Sequence, residues 1–205
     1  MKKIVCFFVR HGETDMNKNN DFRGDLDIDI NSEGKKQAEQ LVPFFANRQF
    51  SAVYGSSRKR VMQTLEPLLK AKNMTMKPLK SLDSLDTGEF AGKPKNDENL
   101  KEMKWYREHP EETIPGGEKV KTFRKRVDAK IMQLIHRGES SSSPVLVGIH
   151  GSVVKELGRF LEGNMDAAKV EPGGVVAVFK SPTGYTAEPI LKDSSDVNED
   201  ITPGS

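Results

Sequence analysis

The sequence has few of the residues that stabilise secreted or membrane-bound proteins. Its 205 residues include a single cysteine, Cys6, so no disulfide can form within the chain. Cys6 lies inside the apolar run Ile4 to Val9, which is typical of a small buried side chain on a core strand. Arg10 ends this run after six residues, which is too short for a signal peptide or a membrane span. These shortages predict a cytoplasmic protein with no membrane contact.

An excess of charge of either sign is also missing. The chain has 32 Lys and Arg residues against 30 Asp and Glu residues, a formal net charge of +2. The two signs are interleaved along most of the chain, whereas a nucleic-acid-binding surface needs basic residues gathered on one face. We therefore expect no nucleic-acid partner, while a local basic pocket for an anionic ligand stays compatible with this balance.

The composition and length predict one globular domain. Hydrophobic residues make up 35% of the chain and charged residues 30%, which is typical of a globular protein. A chain of 205 residues suits a single domain with a sizeable core. After Lys192 the sequence is rich in Ser, Asp and Gly, with little to bury. We expect one domain over residues 1–192 and a disordered tail over residues 193–205.

Apolar runs alternate with helical patterns along the chain. The run Ile4 to Val9 is typical of a strand buried on both faces of a parallel sheet. Further predicted strands are Ser51–Gly55, Met74–Leu82 and Pro144–Ile149, with a closing hairpin of Val175–Lys180 and Tyr185–Leu191. Predicted helices are Ser32–Arg48, capped by Asn31 or Ser32, Lys59–Lys72, Gly117–Arg137 and Val153–Leu161, while Asp83–Leu100 is predicted as loop. This alternation predicts a three-layer α/β/α fold with a mostly parallel central sheet.

Two of the four histidines directly follow the two most apolar strands. His11 comes after the first predicted strand and His150 after Ile149, while His109 and His136 have no such placement. Ligands gather at the carboxyl ends of parallel strands, so His11 and His150 are expected at one site. The small residues Gly12 and Gly151 beside them leave room for a ligand.

Arginines are expected at the same edge of the sheet. Arg10 precedes His11, and Arg60 opens the helix after the second predicted strand. Guanidinium groups bind phosphate oxygens in a bidentate manner and stabilise the charge that develops in phosphoryl transfer. Carboxylate or thiolate partners at metal-ligand spacing are not evident in the sequence. The pattern predicts a site for a tetrahedral oxyanion, with neither a metal nor a cofactor.

Several short motifs then resemble, in their order, those of the histidine phosphatase superfamily, also called phosphoglycerate mutase-like. The matching motifs are Arg10-His11-Gly12-Glu13-Thr14 with Asn17, Arg23-Gly24, Gly34 with Gln37-Ala38, Ser56-x-x-x-Arg60-x-x-x-Thr64, Pro115-Gly116-Gly117-Glu118 and His150-Gly151. A single motif of this kind would be weak evidence, but the ordered set covers most of the chain.

The resemblance implies a function and a set of roles. It implies a phosphoglycerate mutase-like fold and a phosphohydrolase that cleaves phosphomonoesters through a phosphohistidine intermediate. His11 would be the nucleophile, with Arg10, Arg60 and His150 completing the phosphate pocket. Four further residues would bind substrate: Thr14, Asn17, Arg23 and Gly151. The partner would be a small phosphorylated substrate or a phosphoprotein.

The sequence departs from the family at the leaving-group acid. Family members usually carry a glutamate four residues before a Gly-x-(Trp or Phe)-x-Gly segment, and here Ser84 stands at that position before Gly88–Gly92. A serine cannot protonate an alkoxide as a carboxylic acid can, and general acid catalysis is worth about 10²–10⁴-fold. Asp86 is the predicted replacement, because residues i and i+2 of an extended segment point the same way. Three alternatives are Asp83, Glu89 and Glu13.

Three functions remain open at this point. The first is the metal-independent phosphohydrolase. The second is a phosphoglycerate-mutase-type isomerase, which is less favoured because no long insertion of the kind that shields the mutase intermediate follows residue 92. The third is a pseudo-enzyme that binds a phosphorylated ligand and turns over poorly because of Ser84. The nearby lysines form either an attractive surface for an anionic substrate or a solvated face: Lys93, Lys95, Lys101 and Lys104. The oligomeric state is not predicted.

Overall fold

A six-stranded mixed sheet with helices on both faces forms the framework of the protein. A computed structural model describes residues 2–161 and 169–191. Its strands are β1 (Lys3–Arg10), β2 (Ala52–Gly55), β3 (Met76–Pro78), β4 (Val145–Ile149), β5 (Val175–Ser181) and β6 (Gly184–Leu191). Its α-helices are α1 (Asp15–Lys18), α2 (Ser32–Phe44), α3 (Lys59–Lys72), α4 (Asp97–Glu108), α5 (Val120–Glu139) and α6 (Gly151–Phe160).

The strand order places β1 and β4 at the centre of the sheet. The order is β3-β2-β4-β1-β5-β6, with the first four strands parallel. The hairpin of β5 and β6 continues the sheet in antiparallel pairing beside β1. The predicted three-layer fold is therefore confirmed, and its antiparallel part is confined to one edge. The predicted tail at 193–205 lies outside the described residues.

Alternate side chains of β1 fill the two halves of the core. Cys6 and Phe8 pack in the cluster that α5 and α6 cover, whereas Phe7 and Val9 pack in the cluster that α2 and α3 cover. Each fully buried apolar side chain of this size contributes about 1.5–3 kcal/mol. Burial raises the pKa of the Cys6 thiol to about 12, and the thiol donates to the Leu134 carbonyl, so it behaves as a core side chain.

Two predicted helices agree closely with the structure near their starts. Asn31 caps α2 by accepting a hydrogen bond from the Gly34 backbone, and the helix ends at Phe44, four residues earlier than predicted, with Pro43 in its last turn. The predicted bounds of α3 are confirmed, and Pro67 lies inside it without ending it.

Three predicted boundaries are wrong. The loop predicted over Asp83–Leu100 runs into α4, which buries only Met103 and therefore lacks an apolar stripe. The strand predicted over Met74–Leu82 shortens to β3, followed by a 3₁₀ turn. The long helix begins at Val120 rather than Gly117, because Gly116 has φ of +68° and the chain there is still in a turn.

Between residues 2 and 161 and between 169 and 191, no helix is long and apolar enough to cross a membrane.

Candidate active site

The parallel pairing of β1 with β4 brings the two predicted site histidines together. Arg10 pairs with Ile149 at the end of this ladder, so His11 and His150 leave the sheet side by side. Their ring centroids are 5.3 Å apart, and both rings are buried. The two histidines predicted to share a site therefore lie side by side in the structure.

Hydrogen bonding fixes which nitrogen of His11 carries a lone pair. Its Nδ1 lies 2.7 Å from the Gly12 carbonyl, which can only accept, so Nδ1 carries the proton. Nε2 of the neutral ring is then unprotonated. Nε2 is buried and has no hydrogen-bond partner among the described residues. The ring therefore presents an oriented, unbonded lone pair.

Electrostatics keeps His11 in its neutral form. Burial lowers the pKa of this imidazole well below its usual 6.5, and the positive charges of Arg23 and Arg60 lower it further. A protonated ring would have no lone pair at Nε2. The surrounding guanidinium groups thus maintain the form that can attack an electrophile.

His150 links Arg60 to a buried serine and carboxylate. Arg60 donates from Nε to Nδ1 of His150 at 3.2 Å, so the neutral ring carries its proton on Nε2. Nε2 lies 2.7 Å from the Ser56 hydroxyl, which in turn donates to Asp83 at 2.6 Å. This chain of bonds fixes the tautomer of His150 and orients the guanidinium group of Arg60.

Three arginines leave buried N–H groups unpaired around this pair of rings. Arg10 and Arg60 use one terminal nitrogen each to bind the carbonyls of Val170 and Leu26, at 2.6 and 2.7 Å. Among the described residues, no partner accepts from Nε of Arg10, from Nε and Nη1 of Arg23, or from Nη2 of Arg60. Buried donors of this kind are normally satisfied, so the arrangement is suited to an anion with several acceptor oxygens.

Burial and the neighbouring positive charges both disfavour the charged form of Arg23. Burial lowers the pKa of Arg23 to about 9, and the charges of Arg10 and Arg60 add to the effect. Arg23 is still a cation at neutral pH. An anion bound among the three guanidinium groups would relieve this repulsion.

Small residues let the chain approach closely at the site. A Cβ on Gly151 would lie 3.2 Å from Nε of Arg10, so glycine leaves the space that the guanidinium group uses. A Cβ on Gly34 would lie 2.3 Å from the Glu13 carbonyl, because the start of α2 packs directly on the segment after β1. Gly12 donates to the Thr64 hydroxyl at 2.8 Å, which ties that segment to α3.

Thr14 and Asn17 have local structural contacts. The Thr14 hydroxyl donates to the Asn17 side chain at 2.9 Å, and the two form a reciprocal cap on α1. Neither residue lines the cavity that opens beside the arginine cluster. The predicted substrate contacts from these two residues therefore remain predictions.

A cavity of about 540 Å³ opens beside the arginine cluster. Basic residues dominate its described lining: Arg10, Arg23, Lys95, Lys104, Arg107, Lys155 and Lys169. Glu171 is the one carboxylate among the described lining residues, and its side chain is 68% exposed. The wall of the cavity therefore favours anionic ligands.

Asp86 does not lie where the predicted acid should be. Its carboxylate accepts a hydrogen bond from the Gly88 backbone at 3.0 Å, and the residue does not line the cavity. The prediction placed this carboxylate on the side that Ser84 faces. In the structure the chain turns at Gly88, whose φ is +49°, and the carboxylate binds the backbone of that turn instead. Ser84 does line the cavity, with its hydroxyl 3.0 Å from that of Ser152.

The alternative carboxylates are also held elsewhere. Asp83 is buried against the hydroxyls of Ser56 and Ser57, Glu13 accepts from Asn31, and Glu89 lies beside Gly116. None of the three lines the cavity. The described part of the chain also contains no group of three or more His, Cys, Asp or Glu side chains arranged to hold a metal ion.

Sequence reasoning missed the buried pair of Ser56 with Asp83. It also missed that Ser152 lines the cavity and contacts Ser84. Ser56 belongs to a recognised motif, but the position of Asp83 beneath it depends on the 3₁₀ turn after β3. The Gly-Ser pair after His150 was a usable signal for Ser152, since it opens α6 directly at the site.

Comparison with known proteins finds similar sequences over most of the chain. The profile of the histidine phosphatase superfamily, branch 1, matches residues 6–174. A 2,3-bisphosphoglycerate-dependent phosphoglycerate mutase of Afipia carboxidovorans is 29% identical over 171 residues, which cover 79% of this chain and 83% of the relative. The fructose-2,6-bisphosphatase TIGAR of Mus musculus is 30% identical over 160 residues, which cover 74% of this chain and 60% of the relative.

Solved structures share the fold. The crystal structure of phosphoglycerate mutase from Thermus thermophilus superposes with a TM-score of 0.69 at 25% identity, over 94% of this chain and 100% of the other. The relatives thus include both mutases and a phosphatase.

Proposed function

Because the chain belongs to branch 1 of the histidine phosphatase superfamily, we propose that it is a phosphohydrolase that cleaves phosphomonoesters through a phosphohistidine on His11. One observation carries the proposal. The unbonded Nε2 lone pair of His11 is surrounded by three guanidinium groups whose buried N–H groups lack partners among the described residues. A nucleophile and donors for the oxygens of a phosphoryl group are the two requirements for this chemistry.

The first half of the reaction follows from the geometry. Nε2 of His11 attacks phosphorus while the ester oxygen leaves on the opposite side. Arg10, Arg23 and Arg60 donate to the three non-bridging oxygens, where negative charge is spread in the transition state. The bond from Nδ1 to the Gly12 carbonyl stabilises the ring as it gains positive charge.

The second half returns His11 to its starting form. Water attacks the phosphorus of the phosphohistidine, the N–P bond breaks, and phosphate leaves with neutral His11 restored. His150 supports both halves by holding Arg60 in place through its Nδ1. Solvent reaches the site through a cavity whose rim carries the exposed Leu100 and Glu171.

Phosphate release tests the proposal. We would incubate the protein with aryl and alkyl phosphates in the presence of a chelator and compare it with His11→Ala. The matched control is His109→Ala, since His109 stacks on Trp105 outside the cavity. We expect turnover in the unmodified protein and in the control, and its loss in His11→Ala. Turnover that persists in His11→Ala would contradict the proposed nucleophile.

A mutase is the second candidate, since two of the similar proteins are phosphoglycerate mutases. In that reaction the phosphoryl group returns to substrate rather than to water. Isotope-labelled phosphoglycerate distinguishes the two, because a mutase gives a labelled isomer and a hydrolase gives labelled free phosphate.

A phospho-ligand binder is the third candidate, favoured by Ser84 at the expected acid position. It predicts binding of phosphate without turnover of any ester, and His11→Ala would then change affinity alone. A cytoplasmic location, a single domain over residues 1–192, and a small phosphorylated substrate or a phosphoprotein as partner belong to the same set of proposals.

A further inference from the structure

The leaving-group side of the cavity lacks the expected acid. Ser84 occupies that position and its hydroxyl bonds to Ser152, while Asp86 closes a turn away from the cavity. The carboxylate of Glu171, on the cavity rim, lies 3.9 Å from Arg10 and is largely exposed. An alkoxide leaving from phosphorus needs a proton from some other group.

Lys95 is held beside the arginine cluster by backbone pairing. Its backbone N–H donates to the Asn20 carbonyl, and the Phe22 backbone is bonded to Lys93 and Gly92 in the same short ladder. This pairing fixes the segment that carries Lys95 against the segment that carries Arg23. The side chains of Lys95 and Arg23 both line the cavity beside the arginine cluster.

The ammonium group of Lys95 has no hydrogen-bond partner among the described residues. It makes no hydrogen bond or ion pair with them, and it lies over the face of the Phe22 ring, 5.7 Å from the centroid. The side chain is partly buried, whereas Lys104 is exposed and paired with Glu108. Lys95 therefore offers donors to the cavity itself.

We propose that Lys95 is the proton donor to the leaving group, in place of the carboxylic acid that is absent at Ser84. This inference rests on the proposed phosphohydrolase function. As the N–P bond to His11 forms and the P–O ester bond breaks, the leaving oxygen takes a proton from the ammonium group of Lys95. The resulting amine regains its proton from solvent. Water then attacks the phosphohistidine and breaks the N–P bond, leaving one proton on phosphate and releasing the other to solvent, so that both side chains are restored.

The electrostatic surroundings make Lys95 a better acid than an ordinary lysine. The pKa of Lys95 is lowered to about 8, and burial is the largest cause. The positive charges of Arg23, Lys155 and Arg10 lower the pKa further, and the negative charge of Asp21 raises it. Other charged groups that line the cavity are Lys104 and Arg107 from α4, with Lys169 and Glu171 after α6. A general acid works best when its pKa lies near the working pH.

Lys95→Arg separates proton donation from attraction of the substrate. Arginine keeps the positive charge but does not release a proton near neutral pH. We would measure kcat and KM for an alkyl phosphate and for p-nitrophenyl phosphate, whose leaving group needs no proton. The matched control is Lys101→Arg on α4, which does not line the cavity.

The expected result is selective. For the alkyl phosphate, kcat of Lys95→Arg falls by about 10²–10⁴-fold with little change in KM, while kcat for p-nitrophenyl phosphate changes only a few-fold. In the unmodified protein, kcat/KM for the alkyl phosphate declines above about pH 8, and this decline is absent in Lys95→Arg.

Three results would overturn the inference. Equal losses on both substrates, or a loss confined to KM, would make Lys95 a substrate-binding residue, with the proposed hydrolysis intact. Failure of the unmodified protein to release phosphate from either substrate would remove the proposed function and this inference together.

Discussion

Replacing Arg23 by glutamine should stabilise the protein while weakening its hold on phosphate. The pKa of Arg23 is lowered from 12.5 to about 9, and at about 1.4 kcal/mol per pKa unit this represents about 3–5 kcal/mol of unfavourable free energy in the folded state. Glutamine removes the charge but also loses part of the aliphatic packing. We therefore expect the free energy of unfolding to rise by about 1–2 kcal/mol, which raises Tm by roughly 4 °C in a chain of this size.

The stabilisation that bound phosphate gives the protein should become smaller when Arg23 is replaced. At 100 times its Kd, phosphate should stabilise the unmodified protein by about 2.7 kcal/mol, which raises Tm by about 5–10 °C. The rise should fall to less than half in Arg23→Gln at the same phosphate concentration, because two of the unpaired donors are gone. Orthovanadate, as a second tetrahedral oxyanion, should give the same ranking.

Thermal melts with and without phosphate measure both effects. The control is Arg48→Gln, since Arg48 lies outside the cavity and should change neither Tm nor its response to phosphate. A lower Tm for Arg23→Gln without ligand, together with an undiminished phosphate response, would refute the view that the cluster is strained and holds the anion.

Three further predictions concern stability. His11 and His150 have pKa values well below 6.5 in the folded protein, so below about pH 6.5 the unfolded chain binds more protons than the folded one. The free energy of unfolding should therefore fall as the pH falls, by up to about 1.4 kcal/mol per pH unit for each ring. Urea unfolding from pH 7.5 to 5 should show this slope, and His11→Asn should reduce it. Ser56→Ala should lower the free energy of unfolding by about 1–3 kcal/mol, because it leaves buried donors and acceptors unpaired, and an unchanged urea midpoint would argue against the buried chain of bonds. Gly138→Ala should also destabilise, by about 1–3 kcal/mol or more, because its Cβ would lie 1.9 Å from the Val5 carbonyl; chemical denaturation that matches the unmodified protein would contradict that packing.

The elements that pack on both sides were the ones that sequence patterns predicted well. The apolar runs of β1 and β4 predicted the centre of the sheet, and the stripe of α5 predicted a helix that buries seven residues, including Phe123 and Ile131. Burial gives such segments either a continuous apolar run or an apolar stripe at helical spacing, so their type and approximate bounds follow from the local sequence pattern.

The leaving-group side could not be predicted in the same way. α4 buries a single residue, so no periodic pattern marks it. The prediction for Asp86 assumed that its carboxylate would face the cavity, but this carboxylate accepts from the Gly88 backbone, and local spacing does not foretell that turn. Lys95 owes its position to a backbone bond with Asn20, much earlier in the chain, and spacing along the sequence carries no signal for such a contact.

The hydrogen-bonded ladder between β1 and β4 also determines which positions can be substituted without moving His11 and His150. The separation of His11 from His150 is set by main-chain pairing, which no side-chain substitution alters directly. Residues 93–107 form one wall of the cavity and lie in a loop and one helix with few buried side chains. The proposed nucleophile therefore lies in a different part of the chain from most of the cavity wall, and Lys95 is the one residue of that wall to which we assign a chemical step. A library that randomises only exposed positions of that wall should change which ligands bind, while every member keeps the same placement of His11 and His150.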